Sequence, residues 1–339
     1  MTSIVVQLLD PLAEPVPAEW DRFAADHQLV WQWSADALRA AAWNSQNPTL
    51  LGLATDNAGT PIAVVHARAL GLPARPDRFR RGSRFPLAAL LEVRRPPGAD
   101  SGFTFAAGLN VADRREVVDQ FGRAVRRYAG RRPFAIAYRH LAREDLAAVC
   151  TSRNVAVRVQ PRAVLDNEWD AVEDYLAHLH HKRRNSIRRL RRQISADQTL
   201  TVATERQIDP EAAARLVELV RMRHRHRGLI EPPIAVEQIE LMTRAEGVRF
   251  SSYREAESGR LLAFAGWEDT GKAIVNGLWG AEDPAAGGRR NLYFDAAFRS
   301  VEALIETGRR QLDMGKGMTD IKESFGARLE PRYLVMGPL

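Results

Sequence analysis

Apolar and polar positions in the second half of the chain change period from segment to segment. Ala273 to Gly280 is a short apolar run bounded by glycines, the pattern of a buried strand. Asp283 to Arg290, with Pro284, Gly287 and Gly288, reads as a turn. From Leu292 to Thr307 the apolar residues fall at Leu292, Phe294, Ala297, Phe298, Val301, Leu304 and Ile305, one face of a helix, and Gly308 supplies its end. Gln311 to Met314 predicts a second short strand. Gly315-Lys316-Gly317 is a turn, and Thr319 to Phe325 a short helix closed by Gly326. Strand, glycine turn, helix and strand in that order predict a βαβ unit. Its turn opens a helix N-terminus, where backbone N–H groups and the helix dipole favour an anion.

The same reading runs along the rest of the chain. Ile4 to Leu9 predicts a first strand, and Ala18 to Asp26 and Ser34 to Trp43 two helices, with Ser34 as an N-cap. Thr49 to Thr55 and Ile62 to Leu70 are apolar runs joined by a hairpin signal, Asp56-Asn57-Ala58-Gly59-Thr60-Pro61. Leu72 to Arg84 reads as a loop, Leu87 to Val93 as a strand and Arg94 to Gly102 as a connection. A helix at Arg114 to Tyr128, a strand at Phe134 to Tyr138, a helix at Leu141 to Val149 and one strand or a pair of strands at Val155 to Leu165 complete this half. After a join near Val164 to Glu168, helices are expected at Glu168 to Leu179, Lys182 to Ile194, Pro210 to Arg227 and Pro233 to Ala245. Strands are expected at Thr199 to Thr204, Val248 to Arg254, Arg260 to Trp267 and Lys272 to Trp279. No repeat of 20–50 residues is visible.

Composition narrows the class. The 339 residues suffice for two domains, and 45% hydrophobic with 27% charged residues marks a globular chain. No apolar run reaches bilayer length and no signal-peptide pattern opens the chain, so the expectation is a cytoplasmic protein. Cys150 is the only cysteine, which excludes an internal disulfide and a cysteine-built metal site. No Gly-x-Ser-x-Gly elbow occurs. His224 and His226, two apart on a helix, point to different faces, and His178, His180 and His181 crowd a solvated helix junction. No metal is therefore expected. The net charge of +7 points to an acidic partner such as phosphate, nucleic acid or nucleotide. Of the 49 basic residues 45 are arginine, so Lys182, Lys272, Lys316 and Lys322 stand out. Seven of the eleven residues from Lys182 to Arg192 are basic and none is acidic. Such a run is either a solvated face or a phosphate-contacting surface.

The strand, the Asp283–Arg290 turn, the helix ending at Gly308, Gln311-Leu312-Asp313-Met314-Gly315 and Ile321-Lys322-Glu323-Ser324-Phe325-Gly326 together resemble the GNAT superfamily of N-acyltransferases. Within it the stretch is most similar to the Fem branch, two GNAT domains in tandem, many of which move an amino acid from aminoacyl-tRNA to an amine. The arginine-rich helix is similar to the one that opens the second domain there. The resemblance covers about 165–339 in sequence and the first half by architecture only. It implies an α/β (α+β) fold of two GNAT-like domains, residues 1–165 and 166–339, each a mixed, mostly antiparallel sheet flanked by helices. The first half has Asn110-Val111-Ala112-Asp113 where a glycine-rich turn would stand, so only the second domain is expected to hold a donor site.

What the resemblance implies for the chemistry is specific to Lys322. A lysine in Lys-x-x-Phe-Gly lies at the Fem reaction centre and steadies negative charge, and Lys322, Phe325 and Gly326 match that pattern. A compact ammonium suits a small oxyanion pocket better than a guanidinium does. Asp313, at a strand end, either orients the incoming amine or serves the turn. Glu323 is either a base or a solvated neighbour. Acetyl-CoA enzymes usually carry Gln/Arg-x-x-Gly-x-Gly/Ala before the long helix. Here Gly287, Gly288, Arg289 and Arg290 replace that spacing, with Lys316 placed to contact a phosphate or the acceptor. Lys182, Arg183, Arg184, Arg188, Arg191 and Arg192 are then candidate tRNA contacts. The leading expectation is an N-acyltransferase that needs no tightly bound cofactor and takes its acyl group from aminoacyl-tRNA. Its acceptor would be a small amine, a peptidoglycan precursor or a natural-product intermediate. An acyl-CoA donor is the close alternative, and a non-catalytic nucleic-acid-binding protein on a GNAT scaffold a third.

Overall fold

A computed structural model describes residues 4–45, 47–72, 88–95, 101–130, 133–223 and 233–339. The expected loop at 73–84, part of the 94–102 connection and the helix end carrying His224 and His226 lie outside the described residues. The chain divides into two compact units, residues 1–160 with 331–339, and residues 161–330.

In the first unit, strands β1 (Val5–Leu9), β2 (Thr49–Thr55), β3 (Pro61–Leu72), β4 (Ala88–Val93), β5 (Phe103–Phe105) and β6 (Pro133–Leu141) alternate with helices α1 (Ala18–Asp26), α2 (Ala35–Asn44), α3 (Val111–Ala129) and α4 (Leu146–Val149). β1 to β4 pair antiparallel in sequence order, β5 pairs with β3, and β4 lies parallel to β6. A parallel pair needs a crossover, and α3 supplies it. Its Val117, Phe121 and Val125 bury into one cluster with Phe103, Ile136 and Tyr138. α3 starts three residues earlier than its periodicity suggests. The Asn110 side chain accepts from the Asp113 N–H at 2.9 Å and caps it.

The second unit contains residues 161–166 of β7 (Val155–Asp166), then α5 (Val172–His178), α6 (His181–Ala196), β8 (Leu200–Glu205), α7 (Pro210–Arg223), α8 (Val236–Arg244), β9 (Val248–Glu255), β10 (Leu261–Asp269), β11 (Ala273–Ala281), α9 (Leu292–Glu306), β12 (Gln311–Lys316) and α10 (Thr319–Ser324). Its sheet runs β7-β12-β11-β10-β9-β8 and is antiparallel except where β11 meets β12. The βαβ unit read from the sequence is therefore present, with α9 as its crossover. α9 buries Ala297, Phe298, Val301 and Leu304 against Ile274, Leu312 and Phe325.

Three local readings differ from the structure. The helix expected at Leu141 to Val149 begins only at Leu146, because Leu141 belongs to β6 and pairs with Tyr333. The helix expected from Glu168 begins at Val172. Asn167 is tied instead to the backbone before β12, its N–H donating to Arg310 O at 2.8 Å and its amide to Arg309 O at 2.9 Å. The last strand, β13 (Arg328–Pro338), was not anticipated; from Tyr333 to Pro338 it pairs antiparallel with β6 of the first unit. No described helix is long and apolar enough to cross a membrane.

Candidate active site

The site is built where β12 turns into α10. Gly315, Gly317 and Met318 all take positive φ, and Met318, at +48°, does so without being glycine. The Met318 carbonyl then accepts from the Ile321 and Lys322 N–H groups, each at 3.1 Å, and starts the helix. This tight reversal points the Lys316 carbonyl at the end of the Lys322 side chain, and the Lys322 ammonium donates to it at 2.8 Å. Lys322 is buried, with 3% of its surface exposed, and no carboxylate pairs with it among the described residues. Burial alone lowers its pKa from 10.5 to about 8. An ammonium has three N–H donors and this one uses a single acceptor among the described residues, so two remain for a ligand oxygen.

Beneath α10 lies its support. Phe325 is fully buried, and its carbonyl accepts from the Tyr175 hydroxyl at 2.9 Å. The Arg183 guanidinium lies 5.1 Å from the Phe325 ring centre and 5.6 Å from that of Phe294, and donates to the Ser324 hydroxyl. Phe325, grouped with the catalytic candidates by the resemblance, is buried and holds α10 from inside.

Asp313 is buried and occupied. Its carboxylate pairs with Arg162 of β7 and accepts from the Gly315 N–H at 2.9 Å, stitching β12 to β7 and shaping the turn. β11 and β12 pair over only three positions, ending at Val275↔Asp313, although β11 continues to Ala281 and β12 to Lys316. Past Asp313 the two strands are no longer paired.

At that start, Gly287 takes φ +92°. Gly288 presses on the backbone, so that a Cβ there would lie 2.5 Å from the Glu282 carbonyl. Asn291 precedes α9 in a left-handed conformation and its side chain does not cap the helix. Arg289 folds back on the loop, donating to the Gly287 carbonyl at 3.0 Å, and also contacts the Thr199 hydroxyl at 3.2 Å and the Asp197 carboxylate at 3.7 Å. Arg290 is exposed. The carbonyl of Lys316 faces Lys322, while its side chain is exposed.

The basic helix α6 has two distinct faces. Ile187 is buried and Arg183 and Arg191 point inward with it. Arg191 donates to Glu302 at 2.8 Å and lies 5.2 Å from the Phe298 ring centre and 3.7 Å from buried Asp295. Arg184 donates to the Ala177 carbonyl at 3.1 Å. Lys182, Arg188, Arg189 and Arg192 are exposed on the outer face and make no ion pair among the described residues. Arg183 and Arg191, both expected to meet phosphate, thus also pack on the aromatic rings beneath α6. Arg189, part of the run but not singled out, joins the outer set, as its 3.6-residue phase with Lys182 and Arg192 could have shown. Arg162, Tyr175 and Ser324 carry no sequence signal of their own roles; each is defined by a partner more than 130 positions away. No group of three or more His, Cys, Asp or Glu side chains arranged for a metal occurs among the described residues.

Comparison with known proteins agrees with this architecture. Residues 181–323 match the family model of the acetyltransferase (GNAT) domain. No curated protein is similar enough in sequence to count as a match. Among solved structures, FemX superposes with a TM-score of 0.60 at 10% identity over 98% of this chain and 97% of that one. L-PGS from Bacillus licheniformis gives 0.57 at 13% identity over 95% and 92%. A tandem GNAT protein from the clavulanic acid biosynthesis pathway, solved without AcCoA, gives 0.50 at 9% identity over 99% and 98%. The matched domain and the fold define the class: residues 181–323 form a GNAT acetyltransferase domain, and the chain as a whole has the fold of FemX and of the tandem GNAT protein.

Proposed function

We propose that the protein transfers an aminoacyl group from aminoacyl-tRNA to a small amine, with Lys322 stabilising the oxyanion. The observation that carries this is the buried, carboxylate-free Lys322 ammonium with two unspent donors. The neutral acceptor amine attacks the ester carbonyl carbon, and the carbonyl oxygen gains charge as the tetrahedral intermediate forms. Lys322, held by the Lys316 carbonyl, faces that charge in a site where water competes poorly. Collapse breaks the ester bond, the amide forms, and the proton lost by the amine ends on the departing ribose hydroxyl. Asp313 acts as a positioning residue, fixing the turn that aims Lys322. FemX and L-PGS share the fold, which agrees with a chain adapted to an aminoacyl donor.

The donor assignment rests on the outer face of α6. Four exposed cations without carboxylate partners among the described residues suit a run of backbone phosphates. The loop before α9 supports the same choice, since Arg289 is engaged by Asp197 and Thr199. An acyl-CoA donor is favoured by one feature, the uncapped start of α9, whose N–H groups suit a pyrophosphate. Mass spectrometry of what copurifies with the protein separates the two: tRNA supports the first reading, and coenzyme A without tRNA overturns it.

A further inference from the structure

A pocket of about 510 Å³ opens between the α5–α6 junction and the end of α10. Its wall carries His178, His180, Lys182, Arg183, Ser186 and Ser324. Neither the first and last turns of these helices nor the Lys-x-x-Phe-Gly pattern assigns a task to this set. The electrostatics are one-sided. Arg183 is half-buried, and the causes that shift its pKa downward are led by burial, with no carboxylate among them. Glu323 is the one carboxylate lining the pocket; it is exposed and pairs with neither Lys182 nor Arg183 among the described residues. A guanidinium in this position, without a counter-charge, leaves room for an anion to supply one.

The side chains also select the kind of anion. A guanidinium fork, an ammonium and the Ser186 hydroxyl offer donors from several directions, while the Ser324 hydroxyl donates to the Ile321 carbonyl and holds Arg183 in place; this suits the tetrahedral, oxygen-rich phosphate group better than a planar carboxylate. The volume lies in the range of small-molecule sites and far exceeds a bare ion. We infer that this pocket is a phosphate-binding subsite for one nucleotide of the donor, seated against the Ser324 and Arg183 wall that supports α10. The inference rests on the donor reading above in naming RNA as the source of that phosphate. An occupant would add charge-assisted contacts to Arg183 while Arg183 stays stacked on Phe294 and Phe325. Donor binding would thereby steady the helix that carries Lys322, which makes Arg183 a positioning residue.

The test is calorimetric titration of the full chain with three probes: adenosine 5′-monophosphate, coenzyme A, and an RNA hairpin ending in single-stranded CCA. Lys182 is exposed, so Lys182→Ala and Lys182→Glu should keep the parent melting temperature. Both should weaken adenosine monophosphate and the hairpin by about tenfold or more, the loss expected when a charged contact to phosphate is removed. Arg189→Glu, on the same helix but outside the pocket, should weaken the hairpin and leave the mononucleotide unchanged. Failure of adenosine monophosphate to bind at millimolar concentration, with hairpin affinity indifferent to Lys182, would overturn the pocket and leave the tRNA reading standing. Lys182-dependent binding of coenzyme A and the mononucleotide, with no hairpin binding, would keep the phosphate subsite and overturn RNA as its source.

Discussion

Lys322 and Lys316, six positions apart, close on one another. The ammonium of the first donates at 2.8 Å to the carbonyl of the second, across a turn in which Met318 is held left-handed. A backbone acceptor orients the ammonium without neutralising it. A carboxylate in that place would fix the charge equally well and cancel its field.

The first expected consequence concerns rate. Lys322→Met should lower single-turnover amide formation by about a hundredfold or more, with donor affinity close to the parent and no loss of melting temperature. Lys322→Arg should not restore it, because a planar fork cannot take the position of a compact point charge in a buried site. A Lys322→Met protein reacting within a few-fold of the parent rate removes the residue from the mechanism.

Acidity gives a second. Burial lowers Lys322 from 10.5 to about 8, so between those values the unfolded chain keeps a proton that the folded chain has released. Below pH 8 both states hold it, and the burial penalty is fully present and constant. As pH rises from 8 toward 10.5 the penalty is relieved and the parent gains stability. Denaturant unfolding across that window should show this rise relative to Lys322→Met. Turnover should move the other way and fall as pH passes about 8, since the ammonium is the active form. A rate that rises through pH 8 would instead make Lys322 a base.

A third concerns α6. Replacing Arg188, Arg189 and Arg192 together with serine should reduce the dependence of tRNA affinity on salt, by roughly two to three in the log–log slope, and leave the fold intact. Arg191→Ser should act differently. It removes the partner of Glu302 and the neighbour of buried Asp295, so it should lower the unfolding midpoint with little change in salt slope.

Asp295 offers a fourth, on stability. It is fully buried on α9 and accepts from the Tyr253 hydroxyl at 2.8 Å and the Arg299 side chain at 2.7 Å. Asp295→Ala leaves those donors unanswered and should cost on the order of 3–5 kcal/mol. Tyr253→Phe should cost about 1–3 kcal/mol, because the carboxylate keeps Arg299. Equilibrium unfolding ranks the two, and equal losses would contradict the assignment.

Gly288 provides a fifth. Its missing side chain allows contact with the Glu282 carbonyl, where a Cβ would stand at 2.5 Å. Since the obstacle is backbone, Gly288→Ala should force the turn apart. The expected loss is about 1–3 kcal/mol in stability, with weaker donor binding measured by titration.

Local chemistry in the sequence carried much of this far. The apolar phase of Leu292 to Ile305 and the glycines around it determined α9 and its two flanking strands, because helix period and positive-φ demands act over a few residues. The scarcity of lysine and the spacing Lys322-x-x-Phe325-Gly326 singled out Lys322 before any contact was known. Burial, pairing and commitment were decided only by tertiary structure. β13 takes its strand from β6, almost two hundred positions away, and Leu141 leaves its expected helix for the same reason. Arg183 and Arg189 are indistinguishable as neighbouring arginines of one basic run. The fold places the first over Phe325 and leaves the second in solvent. Identity fixed the charge each could bring; where that charge is spent depends on partners that only chain folding brings within reach.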